Sequence, residues 1–331
     1  MNKLYYVGKA EDGFGWGIAN TNLIRELGKL CDVVPVTNRH EFDAPVFVPI
    51  ADSSLNPICK IKKAPRVLGY CFTEWPLTPD ANRNARQYDV IFAGSTWNVD
   101  KLESAGIDAK PLIQGIDFER FKPLPPSDRK GFVVFSGGKY EFRKGQDYVL
   151  RAMRHFMQQR GDVVLLAAWH NPWTQSMASM KNSWLIDPEK PFEGLPSDRV
   201  IKIPAIPNEK TPDVYSLAHI GIFPNRCEAG TNLVMSEFMA CSRPVIASAA
   251  HGHMDVMSDG VLKLETGDYD AAGWFNVPTS DIIAKLEHAY QHREELEERG
   301  KQCRAKMEQF TWQRCAEVIV KEAFSSSASR A

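Results

Sequence analysis

Short runs of β-branched and aromatic residues alternate along the chain with stretches whose apolar positions recur every three to four residues. That alternation predicts parallel strands, each followed by a covering helix, and hence an α/β protein. The runs in the first part are LYYVG (4–8), DVVPV (32–36), APVFVPI (44–50), RVLGYCF (66–72), DVIFAG (89–94) and KPLIQG (110–115), with a helix predicted from Ala19 to Leu30. FERFKPLPPSDR (118–129) is rich in proline and charge and reads as a linker. A second series follows: GFVVFSGG (131–138), VVLLAAW (163–169), RVIKIPAI (199–206), HIGIFP (219–224) and PVIASA (244–249). Between the first two of these runs, Asp147 to Arg160 predicts a helix with Val149, Met153, Phe156 and Met157 on one face. Asp281 to about Phe324 reads as helical and charged, the tail 325–331 as disordered, and no solenoid repeat is visible.

Composition sharpens this picture in three ways. A length of 331 residues with 44% hydrophobic content predicts two globular units. Lys plus Arg (40) nearly equal Asp plus Glu (41), so no overall field draws in nucleic acid or acidic membranes. The seven cysteines include no C-x-x-C pair, which excludes a disulfide framework or zinc ribbon and predicts reduced, mostly buried thiols. With no signal-peptide pattern and no apolar run of about 18 residues, a cytoplasmic location is expected, with peripheral membrane attachment left open.

Candidate chemistry gathers at three strand-to-helix junctions. The first, EDGFGWGIANTNL, carries Gly13, Gly15 and Gly17 before a helix. It matches the dinucleotide fingerprint G-x-G-x-x-G only in part, since Ile18 and Asn20 stand where the third glycine would be, and its plain reading is a tight turn. In the second, SGGKYEFRKGQD, Lys139, Arg143 and Lys144 stand among Gly137, Gly138 and Gly145, cations and permissive backbone suited to a diphosphate, although a charged surface loop has the same composition. The third, NRCEAGTNLVMSEFMACSRPVIAS (225–248), reads as a βαβ junction with Thr231 or Asn232 capping the helix. The first amides of that helix, from Gly230 to Leu233, favour an anion. Glu228 stands before that anion seat, and Glu237 lies about five residues into the helix with its side chain tilted back toward it. A phosphate repels carboxylates while hydroxyl groups bind them, so a phosphate seat with two glutamates suits a nucleotide sugar.

These stretches resemble the family 4 glycosyltransferases, retaining enzymes of the GT-B fold. NRCEAGTNLVMSEFMACSRPVIAS is similar to the family's E-x7-E segment, and GKYEFRKGQD to its G-R-x4-K-G phosphate loop. FAGSTWNVDKLESAGIDAKPLIQGIDFERFKP (92–123) is similar to the run that closes its first domain, and FTWQRCAEVIVKEAF (310–324) to its terminal helix. The resemblance implies two Rossmann-like domains facing across a cleft. The acceptor-side domain would be 1–125 together with a returning helix at 310–324, and the nucleotide-sugar domain 126–309. It also implies roles: Lys139 and Lys144 on the donor diphosphate with Arg143 and Gly138 beside them, Glu228 on the transferred sugar and Glu237 on the ribose. Gly230, Thr231, Asn232 and Leu233 would offer amides to the phosphate or sugar, and Gly15 and Trp16 would close over the diphosphate.

The chain departs from the family pattern at four places. Glu237 lies nine positions after Glu228 where the family's step is eight, Lys139 stands where arginine is common, Gln114 replaces an asparagine or histidine, and the first domain is short. His251 and His253 are two apart but lack further ligands nearby in sequence, so no metal is assigned and none is expected to be required. Acceptor-side candidates are Glu74, Trp75, Gln114 and His253, while the basic cluster of Lys60, Lys62, Lys63 and Arg66 reads by default as a solvated edge strand, with an anionic acceptor such as a lipid phosphate or nucleic acid as the alternative. The activity implied is transfer, with retention, from a UDP-, GDP- or ADP-sugar to a glycan, a lipid-linked glycan or another hydroxyl acceptor, nucleic acid included. A sugar-nucleotide epimerase and a non-catalytic nucleotide-sugar-binding protein are the alternatives.

Overall fold

The computed structural model describes residues 2–11 and 15–325. Gly13 and the tail 326–331 therefore lie outside the described residues. Contacts divide the chain into two compact units, the first comprising 1–117, 229–231 and 310–331, the second 118–228 and 232–309.

The first unit contains β1 (Lys3–Val7), α1 (Gly15–Leu27), β2 (Asp32–Val36), β3 (Val46–Pro49), β4 (Val67–Cys71), α2 (Ala81–Ala85), β5 (Val90–Ala93), α3 (Thr96–Glu103) and β6 (Lys110–Pro111). Its sheet is parallel, in the order β2-β1-β3-β4-β5-β6. Every residue of β3, β4 and β5 is buried, which explains why these strands read as unbroken apolar runs. β2 lies at an edge, where Pro35, lacking an amide donor, is tolerated.

The second unit runs through β7 (Phe132–Gly138), α4 (Gln146–Gln159), β8 (Val163–Trp169), α5 (Thr174–Met177), β9 (Val200–Lys202), α6 (Thr211–Ser216), β10 (Ile220–Phe223), α7 (Leu233–Ala240), β11 (Val245–Ser248), β12 (Leu262–Leu264), α8 (Thr279–Gln291) and α9 (Leu296–Met307). This sheet too is parallel, ordered β12-β11-β10-β7-β8-β9. Val149, Met153, Phe156 and Met157 of α4 are buried in its core beside Phe132, Val163 and Ile220. The last helix, α10 (Trp312–Phe324), belongs to the first unit and packs on α1, burying Trp312, Cys315, Ala316 and Ile319.

Several elements differ from the expected spans, each for a local reason. KPLIQG forms a strand only over Lys110–Pro111. Beyond it Ile116 donates to Phe310 O at 3.0 Å, and a Cβ on Gly115 would stand 2.1 Å from the Trp312 nitrogen, so the chain leaves the sheet for the start of α10. RVIKIPAI is a strand only at 200–202, an edge position followed by Pro204 and Pro207, which have no amide to donate. The helical end is three helices, broken at His292, the C-cap of α8, and again at Thr311, whose hydroxyl caps α10 by accepting from the Arg314 amide at 3.1 Å. Helix α1 begins at Gly15, four residues before Ala19. All seven cysteines are free thiols, six of them buried and Cys59 half-buried. No helix among the described residues is long and apolar enough to cross a membrane.

Candidate functional site

A dense charge cluster lies in the second unit, in the loops that follow β7 and β10. After β7 the chain turns through Phe142–Lys144 as one turn of 3-10 helix and enters α4 through Gly145. Gly145 has φ +72°, and a Cβ there would stand 2.1 Å from Pro224 O. Glycine is thus required twice over, for the left-handed backbone and for the close approach of the two loops. The Arg226 amide, from the loop after β10, donates to Arg143 O at 2.8 Å and fixes the register of one loop on the other.

Across this contact Lys144 forms an ion pair with Glu228, and Arg143 Nη1 lies 3.3 Å from the same Glu228 oxygen, Oε2. The Asn225 side chain donates from Nδ2 to that oxygen as well, at 2.8 Å. Arg143 Nη2 also reaches Glu141 Oε1 at 2.8 Å, and Lys139 Nζ lies 3.8 Å from it while standing 5.0 Å from the Trp173 ring centroid. Burial alone would raise the Glu228 carboxyl, but the charges of Lys144 and Arg143 outweigh it and hold it at about 2. Burial pushes the Lys144 ammonium down, and Glu228 opposes that shift. Lys144, Arg143 and Asn225 thus all meet the carboxylate at Oε2, while the Glu228 carbonyl accepts from the Gly252 amide at 2.9 Å.

Asn232 caps α7 in a left-handed conformation (φ +60°), its Oδ1 accepting from the Met235 amide at 3.4 Å. Its Nδ2 is buried with no hydrogen-bond partner among the described residues. Glu237, one turn into α7, is 3% exposed. Its Oε1 accepts from Asn208 Nδ2 at 3.0 Å and its Oε2 from the Tyr215 hydroxyl at 3.3 Å, so this carboxylate is anchored within the unit. The two histidines do not share a ligand: His251 Nε2 meets Gly273 O at 3.0 Å, and His253 Nδ1 meets Ser248 O at 3.1 Å. His253 is fully buried, and burial lowers it to about 4, so it is neutral at ordinary pH.

Lys139, Arg143, Lys144, Glu228, Asn232 and Glu237 thus occur in one unit, the first four in a single cluster, with Gly138 (φ +116°) ending β7 and Leu233 opening α7. Gly230 and Thr231 group with the first unit, where a Cβ on Gly230 would meet the Phe72 ring at 2.8 Å. In that unit Gly15 opens α1, exposed, and Trp16 packs edge-on against Tyr70 and Phe72. Glu74 is half-buried, Trp75 is 55% exposed and Gln114 is buried. Lys60, Lys62 and Lys63 are exposed, and Arg66 is half-buried beside Glu322. Sequence reasoning missed Glu141, Asn225 and the buried pair of Asp147 with Arg226. The signal available was an arginine two residues before Glu228 and an aspartate three after Lys144, opposite charges flanking the two site loops.

Residues 130–288 match the family model described as Glycosyl transferases group 1. The chain is 26% identical over 193 residues to a D-inositol 3-phosphate glycosyltransferase of Xylanimonas cellulosilytica, a match covering 54% of this chain and 44% of that protein. It is 25% identical over 208 residues to a GDP-mannose-dependent α-(1-6)-phosphatidylinositol monomannoside mannosyltransferase of Mycolicibacterium smegmatis, covering 56% and 52%. The chain therefore spans about half the length of these relatives. Among solved structures, sucrose-phosphate synthase of Thermosynechococcus elongatus superposes with a TM-score of 0.73 at 16% identity, covering 99% of this chain and 100% of that one. HepE of Anabaena, in complex with UDP and glucose, gives 0.67 at 14% identity, covering 98% and 100%. Two parallel six-stranded sheets with interleaved helices, matched over nearly the whole chain by such structures, are the GT-B fold.

Proposed function

We propose that the protein is a glycosyltransferase of the retaining family 4 type, moving a sugar from a nucleotide diphosphate donor to a hydroxyl acceptor without a metal ion. The observation that carries this reading is the convergence of Lys144 and Arg143 on Glu228, four residues before Asn232, the N-cap of α7. The group 1 match over residues 130–288 covers these residues and supports the activity class.

In this reading the donor diphosphate displaces Glu228 as counter-ion of Lys144 and Arg143, with Lys139 adding charge from the rim. Glu228, ionised at any ordinary pH, then accepts hydrogen bonds from hydroxyls of the transferred sugar. Glu237, held by Asn208 and Tyr215, keeps acceptor capacity for the ribose hydroxyls. Fixed cations placed where charge develops on the leaving diphosphate lower the barrier without a dedicated base, because the departing phosphate itself takes the acceptor proton. The name of one relative, GDP-mannose-dependent, and the UDP complex of one structural neighbour support a nucleoside diphosphate donor. The acceptor is assigned to the first unit, where Glu74, Trp75 and Gln114 stand.

The test is nucleoside diphosphate release from UDP-, GDP- and ADP-sugars with and without a panel of glycan and lipid-linked acceptors. Acceptor-dependent release with the anomeric configuration kept is expected. Conversion of a donor without acceptor, or donor binding without turnover, would replace transfer by epimerisation or sensing.

A further inference from the structure

Arg226 is 3% exposed and Asp147 wholly buried, and the two form a forked pair. Arg226 Nη1 donates to Asp147 Oδ1 at 2.8 Å and Nη2 to Oδ2 at 2.6 Å. The guanidinium lies between two aromatic rings, its carbon 3.7 Å from the centroid of Phe142 and 4.0 Å from that of Tyr148. Nη1 also donates to Phe142 O at 2.6 Å, and Ser183 donates to Asp147 at 2.7 Å. Asp147 absorbs the charge of Arg226, so this arginine is not a fourth cation for a ligand.

The pair's position gives it a different task. Phe142, whose ring and carbonyl both meet Arg226, is the first residue of the turn that carries Arg143 and Lys144. Arg226 itself lies two residues before Glu228, and its carbonyl is held by the Phe275 amide at 2.9 Å. One side chain therefore grips both loops whose charged groups must meet. Only a planar fork can do this: it binds a carboxylate through two parallel bonds, stacks between rings and still donates to a carbonyl.

We infer that Arg226, braced by Asp147, is a positioning residue that holds Arg143 and Lys144 at the distance and orientation needed to receive the donor diphosphate. The inference rests on the donor-site reading above and goes beyond it, since neither residue touches the proposed ligand. The brace acts through the two loops that it joins.

The experiment compares wild type, Arg226→Lys and the apolar double variant Arg226→Met/Asp147→Leu. The double variant guards against misfolding, because replacing both members of a buried ion pair by apolar residues commonly preserves stability, whereas the single change leaves an imperfectly paired charge. Two readouts are taken: hydrogen exchange at the Lys144 and Arg226 amides, which donate to Glu141 O and Arg143 O, and calorimetric titration with UDP, GDP and ADP. The expected result is fast local exchange at those amides, with the rest of the second unit protected, and nucleotide affinity lowered about 10- to 100-fold in both variants. Wild-type exchange and affinity in a folded variant would overturn the inference. If wild type binds none of the three nucleotides, the donor reading fails, and local exchange then decides whether the brace holds the turn.

Discussion

Replacing Lys144 with methionine removes the charge beside Glu228 while keeping most of the side chain's bulk. In the native protein the charges of Lys144 and Arg143 hold Glu228 at about 2 against an ordinary value of 4.5, a depression worth about 3 kcal/mol. Because the folded value is depressed, this stabilisation is present above pH 4.5 and is lost as the pH falls toward 2. Between pH 7 and pH 3 about 2 kcal/mol of it disappears. In Lys144→Met the carboxylate keeps Arg143 at 3.3 Å and the Asn225 side-chain amide, but loses its largest favourable charge, and its value rises toward the ordinary one. Because Arg143 and Asn225 keep part of the effect, the variant is expected to be less stable than wild type by up to about 3 kcal/mol at pH 7. That gap should narrow by up to about 2 kcal/mol at pH 3, where wild type has also lost most of the benefit. Urea denaturation at the two pH values, followed by probes in the second unit, measures the gap. A gap that stays constant with pH would refute an ionised Lys144–Glu228 pair, and with it the charge arrangement on which the donor site depends.

Other substitutions test neighbouring parts of the site. Gly145→Ala places a Cβ 2.1 Å from Pro224 O on a left-handed backbone, so a loss of more than about 2 kcal/mol in denaturation and failure to retain nucleotide are expected. His253, buried and lowered to about 4, takes up its proton less readily in the folded chain than in the unfolded one. Its contribution is thus whole above pH 6.5 and declines as the pH falls toward 4, and His253→Gln should flatten the stability profile in that window. Glu237→Ala leaves the buried Asn208 amide and Tyr215 hydroxyl short of an acceptor, costing about 1–3 kcal/mol by denaturation. In a nucleotide titration the same variant should weaken nucleoside diphosphate binding more than it changes the preferred sugar.

The α/β class, the parallel character of both sheets and the positions of most strands were readable from the chain because a strand buried on both faces must be an unbroken apolar run. The Lys139–Lys144 loop and the Glu228–Glu237 segment were readable for a similar reason. Glycine beside clustered charge at a strand end marked the first of them, although a charged surface loop has the same composition, and Asn232 caps its helix through local geometry. What adjacency in sequence could not decide was partnership. Lys144 and Glu228 are 84 residues apart, and Arg226 and Asp147 are 79 apart. Each pair exists because β10 lies beside β7 in the sheet, bringing the loops after both strands to one edge. Nor does the chain alone tell that Glu237 is anchored by Asn208 and Tyr215, or that Arg226 is consumed by Asp147 and two rings. Charge type is local and legible, whereas the counter-ion that sets its ionisation and use is chosen by which strands become neighbours.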